Sequence, residues 1–259
     1  MDKQRVESVI DHISQRIDAA SFSEQPFVHL TFSDIFPKDL YEEMLSSMPK
    51  AKDYRALPGR NGINLKEDGT STRVKIDLFP EFIRKFPKPK QDVWKIVGKA
   101  LCSDKVLSAF KRKLAPGLQK RFGDRHDAIN MYPIPVLMRD VPGYKIRPHP
   151  DTHWKGITVQ LYLPKDNSHI NIGTVFHGRD EKGKLTRDRQ MSFSPNTGYA
   201  FAVTNDSWHS ADAVGDDVDT RDSILLTYFV DSTALQKARN RFKRVGNFIL
   251  NEAKGLKAN

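Results

Sequence analysis

His149, Pro150 and Asp151 set an imidazole and a carboxylate two residues apart. On an extended backbone the side chains at i and i+2 share a face, so both groups can converge on one metal ion. A third ligand must come from elsewhere in the chain, and His209, within NDSWHSADAV, is the best candidate. Two histidines and one carboxylate on one face of a metal leave three positions open. That arrangement suits iron(II) enzymes that take a co-substrate and O2 side by side. A bare H-x-D occurs by chance in many chains. The longer pattern is more specific: H-x-D, fifty-seven residues, His, eleven residues, then Arg221-Asp222-Ser223. Arg221 opens the strand-like run RDSILLTYFV, so Arg221 and Ser223 point the same way and can both donate to one carboxylate. A guanidinium grips a carboxylate in two places, which Lys cannot do. A dicarboxylic keto-acid is therefore a natural partner for the open metal site.

Other polar residues near the motif have plainer readings. His153 could be a ligand only on a helix, and Pro148 and Pro150 oppose one there; it is read as a pocket-edge residue. His177, in GTVFH, faces either the site or solvent. Trp154 and Trp208 adjoin ligand positions and are read as packing residues, with a pocket wall as the alternative. His12, His29, His126 and His169 are read as structural or exposed. No H-E-x-x-H zinc motif and no G-x-S-x-G nucleophile elbow occurs. A non-catalytic cupin-like binding protein remains an alternative, but it would not need Arg221 after the distal His.

The elements that must position these groups can be read from periodicity. Val6, Val9, Ile10, Ile13 and Ile17 mark one face of a helix over 3–20. A short strand is expected within 26–36, a turn at Pro37 and a helix over 38–48. Residues 50–70 are polar and Gly-rich and read as a loop. Residues 91–122 read as one or two helices, broken at Pro116-Gly117. From about 128 the texture changes to short segments rich in Val, Ile, Tyr and Phe. Strands are expected at 134–139, 144–149, 156–163, 172–177, 190–194, 198–204, 209–214 and 222–230, a spacing that suggests an antiparallel sandwich or barrel. Helical spacing returns over 232–250. The class is α+β.

The segments RDVPGYKIRPHPD, GTVFH (173–177) and SPNTGYAFAVTNDSWHSADAV resemble the iron(II)/2-oxoglutarate-dependent dioxygenase superfamily, especially its prolyl-hydroxylase-like branch. PFVHLTFSDIFPKDLYEEMLSSMP resembles the leader of such proteins. The resemblance covers most of the chain, strongest over 128–230. It implies a double-stranded β-helix (jelly-roll) core with helices before and after it. It also implies one domain over 1–259: a helical part (1–127), the core (128–230) and a C-terminal helix (231–259). The implied cofactors are Fe(II), 2-oxoglutarate and O2, with ascorbate as a stimulant. Carried over by residue, His149, Asp151 and His209 match the metal triad, Arg221 the anchor for the far carboxylate of 2-oxoglutarate, and Ser223 and Tyr144 further co-substrate contacts. Related halogenases lack the carboxylate that Asp151 supplies, so hydroxylation is the expected outcome, with release of succinate and CO2. The expected substrate is a small molecule, an amino acid or biosynthetic intermediate; the alternative is a protein residue, as in prolyl hydroxylation.

Composition narrows the rest. Hydrophobic residues make up 38% and charged residues 29% of 259 residues, as in an ordinary soluble globular protein. No apolar run is long enough to span a membrane. The charged N-terminus does not suit a secretory signal, and Cys102 stands alone, so the cytoplasm is the expected compartment. Net charge is +10. Residues 81–125 hold thirteen Lys/Arg against four Asp/Glu, and residues 231–259 seven against two. Solvated helical faces explain this surplus, with attraction to an anionic substrate as the sharper reading. Aromatics do not interleave with the basic residues, so nucleic acid is not expected. Periodicity is silent on oligomeric state. The inserts at 50–70 and 178–190 are candidate lids.

Overall fold

The computed structural model describes residues 3–231, except 58, 60 and 61. The helix expected over 232–250 lies outside the described residues. Helix α1 (Lys3–Asp18) buries the face its periodicity marks: Val6, Val9, Ile10, Ile13 and Ile17. Strands β1 (Ser21–Ser23) and β2 (His29–Ser33) form a hairpin, and α2 (Lys38–Ser46) starts directly after Pro37. Next come β3 (Arg55–Ala56) and β4 (Arg73–Asp77), then α3 (Pro80–Ile83), α4 (Lys88–Leu101), α5 (Asp104–Lys113) and α6 (Ala115–Phe122). The β-rich part holds β5 (Met131–Asp140), β6 (Ile146–His149), β7 (Lys155–Tyr162), β8 (Val175–Arg179), β9 (Leu185–Gln190), β10 (Thr197–Ala202), β11 (His209–Ala211) and β12 (Arg221–Val230).

These strands make two antiparallel sheets. The larger runs β1-β2-β10-β7-β12-β5-β4-β3, and the smaller runs β6-β11-β8-β9. Alternation divides the large sheet into two faces. Leu30, Leu137, Val159, Leu161, Ala200, Ile224 and Leu226 point to one side and join the helices in the main core. Tyr162, Tyr199 and Phe201 point to the other and pack with Phe27 and with Phe176 of the small sheet. The strands of the centre are therefore apolar on both faces, while β4, near the edge, alternates cleanly as Arg73, Val74, Lys75, Ile76, Asp77.

Several expectations need correction. The break expected at Pro116-Gly117 falls two residues earlier, at Leu114 between α5 and α6, and Pro116 sits in the first turn of α6, where its missing N–H costs nothing. The region resolves into three helices, with Ser103 capping α5 by accepting the Val106 N–H. The strand expected at 190–194 lies at 185–190 instead. Its charged residues Arg187, Asp188 and Arg189 are tolerated because β9 is an edge strand. The insert at 178–190 is thus a hairpin of β8 and β9. Within 50–70, β3 adds an edge strand, and β4, not expected, pairs along β5. No helix among the described residues is long and apolar enough to cross a membrane.

Close packing of α4 on the chain leaving β4 depends on Gly98. A Cβ there would lie 2.3 Å from the Leu78 carbonyl oxygen, which belongs to the backbone and cannot swing away. Gly→Ala inside an ordinary helix stabilises by roughly 0.5–1 kcal/mol. Here the sign should reverse: Gly98→Ala is expected to lose about 1–3 kcal/mol in urea unfolding, the range for overpacking. A more stable variant would show that the approach of α4 to Leu78 is not this tight.

Candidate metal centre

β6 ends at His149 and β11 begins at His209, and the two residues are direct partners across the ladder. Their rings stand 4.5 Å apart, centroid to centroid. Asp151 follows Pro150 just beyond β6. One donor atom from each of His149, Asp151 and His209 lies within 4.8 Å of the other two. The three groups lie 58 or more positions apart in one case and two in another along the sequence, and the sheet register joins them.

Both rings are held in the same manner. His149 Nδ1 lies 2.9 Å from the Arg147 carbonyl oxygen, and His209 Nδ1 lies 3.0 Å from that of Ser207. A carbonyl can only accept, so each Nδ1 donates, which leaves Nε2 as the ring atom that can face a metal. Burial, with a smaller contribution from His149, pushes the His209 pKa down to about 4 against the opposing pull of Asp151. At neutral pH this ring is therefore the uncharged, metal-binding form.

Asp151 is fixed from two sides. Lys155 Nζ lies 2.5 Å from Oδ1, and Thr158 Oγ1 donates to Oδ2 at 2.6 Å. Burial pushes this carboxyl up, but Lys155, His209 and the two hydrogen bonds outweigh it and hold it below the ordinary carboxylate range. The loop itself is clamped by Arg121 of α6. Its guanidinium donates to the carbonyls of His153 and Lys155, and at 2.7 Å to that of Val203 at the end of β10. Arg121 thus ties the segment carrying Asp151 and Lys155 to the large sheet through main-chain oxygens.

A second polar group lies at the far end of β12. Arg221 does not hold its fork open. Its Nε and Nη2 donate to Asp140 Oδ2 at 3.2 and 2.9 Å, and its Nη1 donates to the Ile172 carbonyl at 2.7 Å. Asp140 also accepts from Arg73 of β4, at 2.5 and 2.8 Å. Arg73, Asp140 and Arg221 form one row across three neighbouring strands. Burial alone would raise the Asp140 carboxyl, yet the two guanidinium groups keep it low. The row is buried and carries two positive charges for one negative. Tyr144 lies beside it, with Arg73 3.8 Å and Arg221 5.3 Å from its ring centre. The Tyr144 hydroxyl is buried without a hydrogen-bond partner, and burial pushes its pKa up to about 12. Ser223 faces the same side as Arg221, but its Oγ accepts from Gln160 Nε2 at 2.5 Å.

The candidate triad and this row both act on Tyr199. It is buried, and burial raises its hydroxyl pKa; nearby Asp151 adds to that rise and Arg221 opposes it. Its hydroxyl donates to Thr174 Oγ1 at 2.9 Å, as does that of Tyr162 at 3.1 Å. Strand alternation turns Phe176 toward His209 and His177 away, where His177 Nε2 meets Ser210 Oγ at 2.7 Å. Trp154 is 47% exposed, so it is not a core residue, and its ring lies against His153. Periodicity passed over Arg73, Asp140, Lys155, Thr158 and Arg121. The alternation of RVKID could have marked β4 and hence Arg73. Nothing local distinguishes the other four from surface or strand residues.

No protein-family model matches the chain, and no curated protein matches it in sequence. Solved structures do. A prolyl hydroxylase from Trichoplax adhaerens, in complex with a hypoxia inducible factor oxygen degradation domain peptide fragment, superposes with a TM-score of 0.52 at 12% identity, over 87% of this chain and 91% of that one. This chain has a prolyl-hydroxylase fold. A prolyl-4-hydroxylase from Pseudomonas putida gives 0.49 at 13% identity, over 88% and 100% of the two chains. A 2OG-Fe(II) oxygenase family oxidoreductase from Burkholderia pseudomallei gives 0.46 at 10% identity, over 85% and 90%. The donor set His149, Asp151 and His209 fits iron, whose usual partners in such sites are an organic co-substrate and O2.

Lys155 offers a direct test of how Asp151 is held. Removing a group that orients a metal ligand typically costs 10–100-fold in metal affinity. Lys155→Met is expected to weaken Co(II) or Fe(II) binding by roughly that factor in titrations of metal-free protein, and Lys155→Arg to recover most of it. Unchanged affinity in Lys155→Met would mean that Thr158 alone fixes the carboxylate.

Proposed function

We propose that this chain is an iron(II)- and 2-oxoglutarate-dependent oxygenase of the prolyl-hydroxylase-like branch, and that it hydroxylates a C–H bond of a small molecule. The observation that carries the reading is the pairing of His149 with His209. Both Nδ1 atoms are spent on carbonyls, and one donor atom from each ring lies with one from Asp151 inside a 4.8 Å cluster. Two sheets packed through Phe176, Tyr199 and Phe201 support a double-stranded β-helix over 128–230, and a single oxygenase domain built on it.

The chain's own residues divide the work. His149, Asp151 and His209 would hold iron, which when bound supplies the redox chemistry that couples O2 to 2-oxoglutarate. The balance is one substrate C–H, one O2 and one 2-oxoglutarate giving one C–OH, one succinate and one CO2. Arg73, Asp140 and Arg221 leave one buried positive charge unmatched, and the far carboxylate of 2-oxoglutarate supplies the missing negative one. In this reading Arg221 keeps its fork on Asp140 and offers its charge, while the unpartnered Tyr144 hydroxyl donates the hydrogen bond. Ser223 contributes through Gln160. Tyr162, Tyr199, Phe176 and Phe201 keep water from the interior side of the triad.

Two assays test this. Purified protein with Fe(II), ascorbate and O2 should convert 2-oxoglutarate to succinate, and a metabolite panel should stimulate the rate; stimulation by peptides alone would reassign the substrate to a protein residue. Asp151→Ala should lose iron binding and lower turnover by at least a hundredfold, about 2.7 kcal/mol or more. Retained turnover would remove Asp151 from the metal. Arg221→Ala strips a charge from a buried row and leaves Asp140 with Arg73 only. It is expected to raise the 2-oxoglutarate requirement at least tenfold, about 1.4 kcal/mol, and an unaltered requirement would place the anchor elsewhere.

A further inference from the structure

The face of the large sheet that carries Arg73 and Arg221 holds a second group of charges nearer its edge. Arg55 of β3 pairs directly with Lys75 of β4, and Lys75 and Asp77 lie on the same face of β4 as Arg73. Asp77 is ion-paired with Arg55 and, at 3.2 Å, with Lys75. Among the described residues no second carboxylate pairs with either cation. Side-chain exposure is 31% for Arg55, 23% for Lys75 and 9% for Asp77. The Arg55 Nε is buried without a hydrogen-bond partner, and its guanidinium lies 4.9 Å from the Phe82 ring centre. Two largely desolvated cations thus share one acid. Burial, and then the neighbouring Arg55, lower the Lys75 pKa to about 8, the mark of a cation short of negative charge.

The same face connects this cluster to the metal centre. Lys75 lies in one cross-strand row with Met138, Ser223 and Tyr162. Asp77 lies in the next same-face row with Val136, Leu225 and Gln160. Thr158, which holds Asp151, lies two residues before Gln160 along β7. Between the two charged ends the wall is apolar at Met138, Val136 and Leu225, and its polar residues Ser223 and Gln160 are hydrogen-bonded to each other; Gln160 and Leu225 are only half-buried. The other buried cationic row, at Arg73 and Arg221, is taken by the co-substrate in the proposed function, on which this inference rests.

We infer that Arg55, Lys75 and Asp77 form a substrate subsite for a carboxylate or phosphate monoester, separated by an apolar segment from the C–H bond presented to the metal. An anion here supplies the negative charge that the two cations lack, and the Arg55 Nε gains an acceptor. Specificity then follows from charge at one end and reach at the other. A neutral analogue of the same shape leaves the two cations facing each other.

The test is calorimetric and needs no turnover. Full-length protein is loaded anaerobically with Fe(II) and saturating 2-oxoglutarate, so that the Arg221 end is filled. It is then titrated with hexanoate, hexyl phosphate and hexanamide. We expect at least one of the two anions to bind at least tenfold more tightly than hexanamide, and the tighter one names the headgroup. Lys75→Met should weaken that anion at least tenfold, while Lys75→Arg should retain it. Arg55→Gln gives a second reading should Lys75→Met melt early. Equal binding of acid and amide, no binding of either anion, or undiminished anion binding by both charge-removing variants overturns the subsite. Failure of the wild-type protein to take up iron and 2-oxoglutarate in the loading step counts instead against the oxygenase reading.

Discussion

The site depends on one register, in which His149 of β6 stands opposite His209 of β11. Side chains alternate along a strand, so a slip of one residue would turn one imidazole out of the site and break the cluster. The register is held by neighbours on both sides. β8 pairs with β11 and brings Phe176 beside His209, and Phe176 packs against Tyr199 and Phe201 of the large sheet. Beyond β6, Arg121 clamps the loop that carries Asp151. The meeting of His149, Asp151 and His209 is thus a by-product of how the small sheet lies on the large one.

The large sheet makes this possible by having two different faces. One is apolar and takes the helices α1 and α4 to α6, forming the main core. The other is free to carry function and is mixed: aromatic under the small sheet, charged toward β4 and β3. Its charges are not scattered. Each group sets two cations around one carboxylate, Arg73 and Arg221 around Asp140, Arg55 and Lys75 around Asp77. Burying such groups costs free energy that a fully matched pair would partly return. Each group is short of one negative charge, which an anion bound on that face would supply.

The histidines show how neutral partners prepare a site for a charged ligand. Each ring spends Nδ1–H on the carbonyl two residues earlier, a contact available only because the residues flanking it are extended or turning. Asp151, by contrast, is surrounded by donors, Lys155 and Thr158, which keep it ionised in a buried place. A neutral His209 and an ionised Asp151 are the result, two donors whose charge suits a metal before one arrives.

Much of this was legible in the residues alone. The face of α1, the H-x-D spacing, His209 and the strands β5, β7, β10 and β12 follow from local periodicity and from donor chemistry, because both act over a few residues. Periodicity puts a strand at 190–194 in place of 185–190, because a charged edge strand carries no apolar signal. The strand run marks Arg221 as a candidate, but nothing in it reveals the engagement with Asp140 and Arg73. Those three residues come from strands β12, β5 and β4, and only the order of strands in the sheet makes them neighbours. The chain by itself determined which side chains can bind a metal or an anion. Tertiary structure decided which of them meet, because contacts between strands distant in sequence are set by sheet order and register, and neither is written in any local pattern.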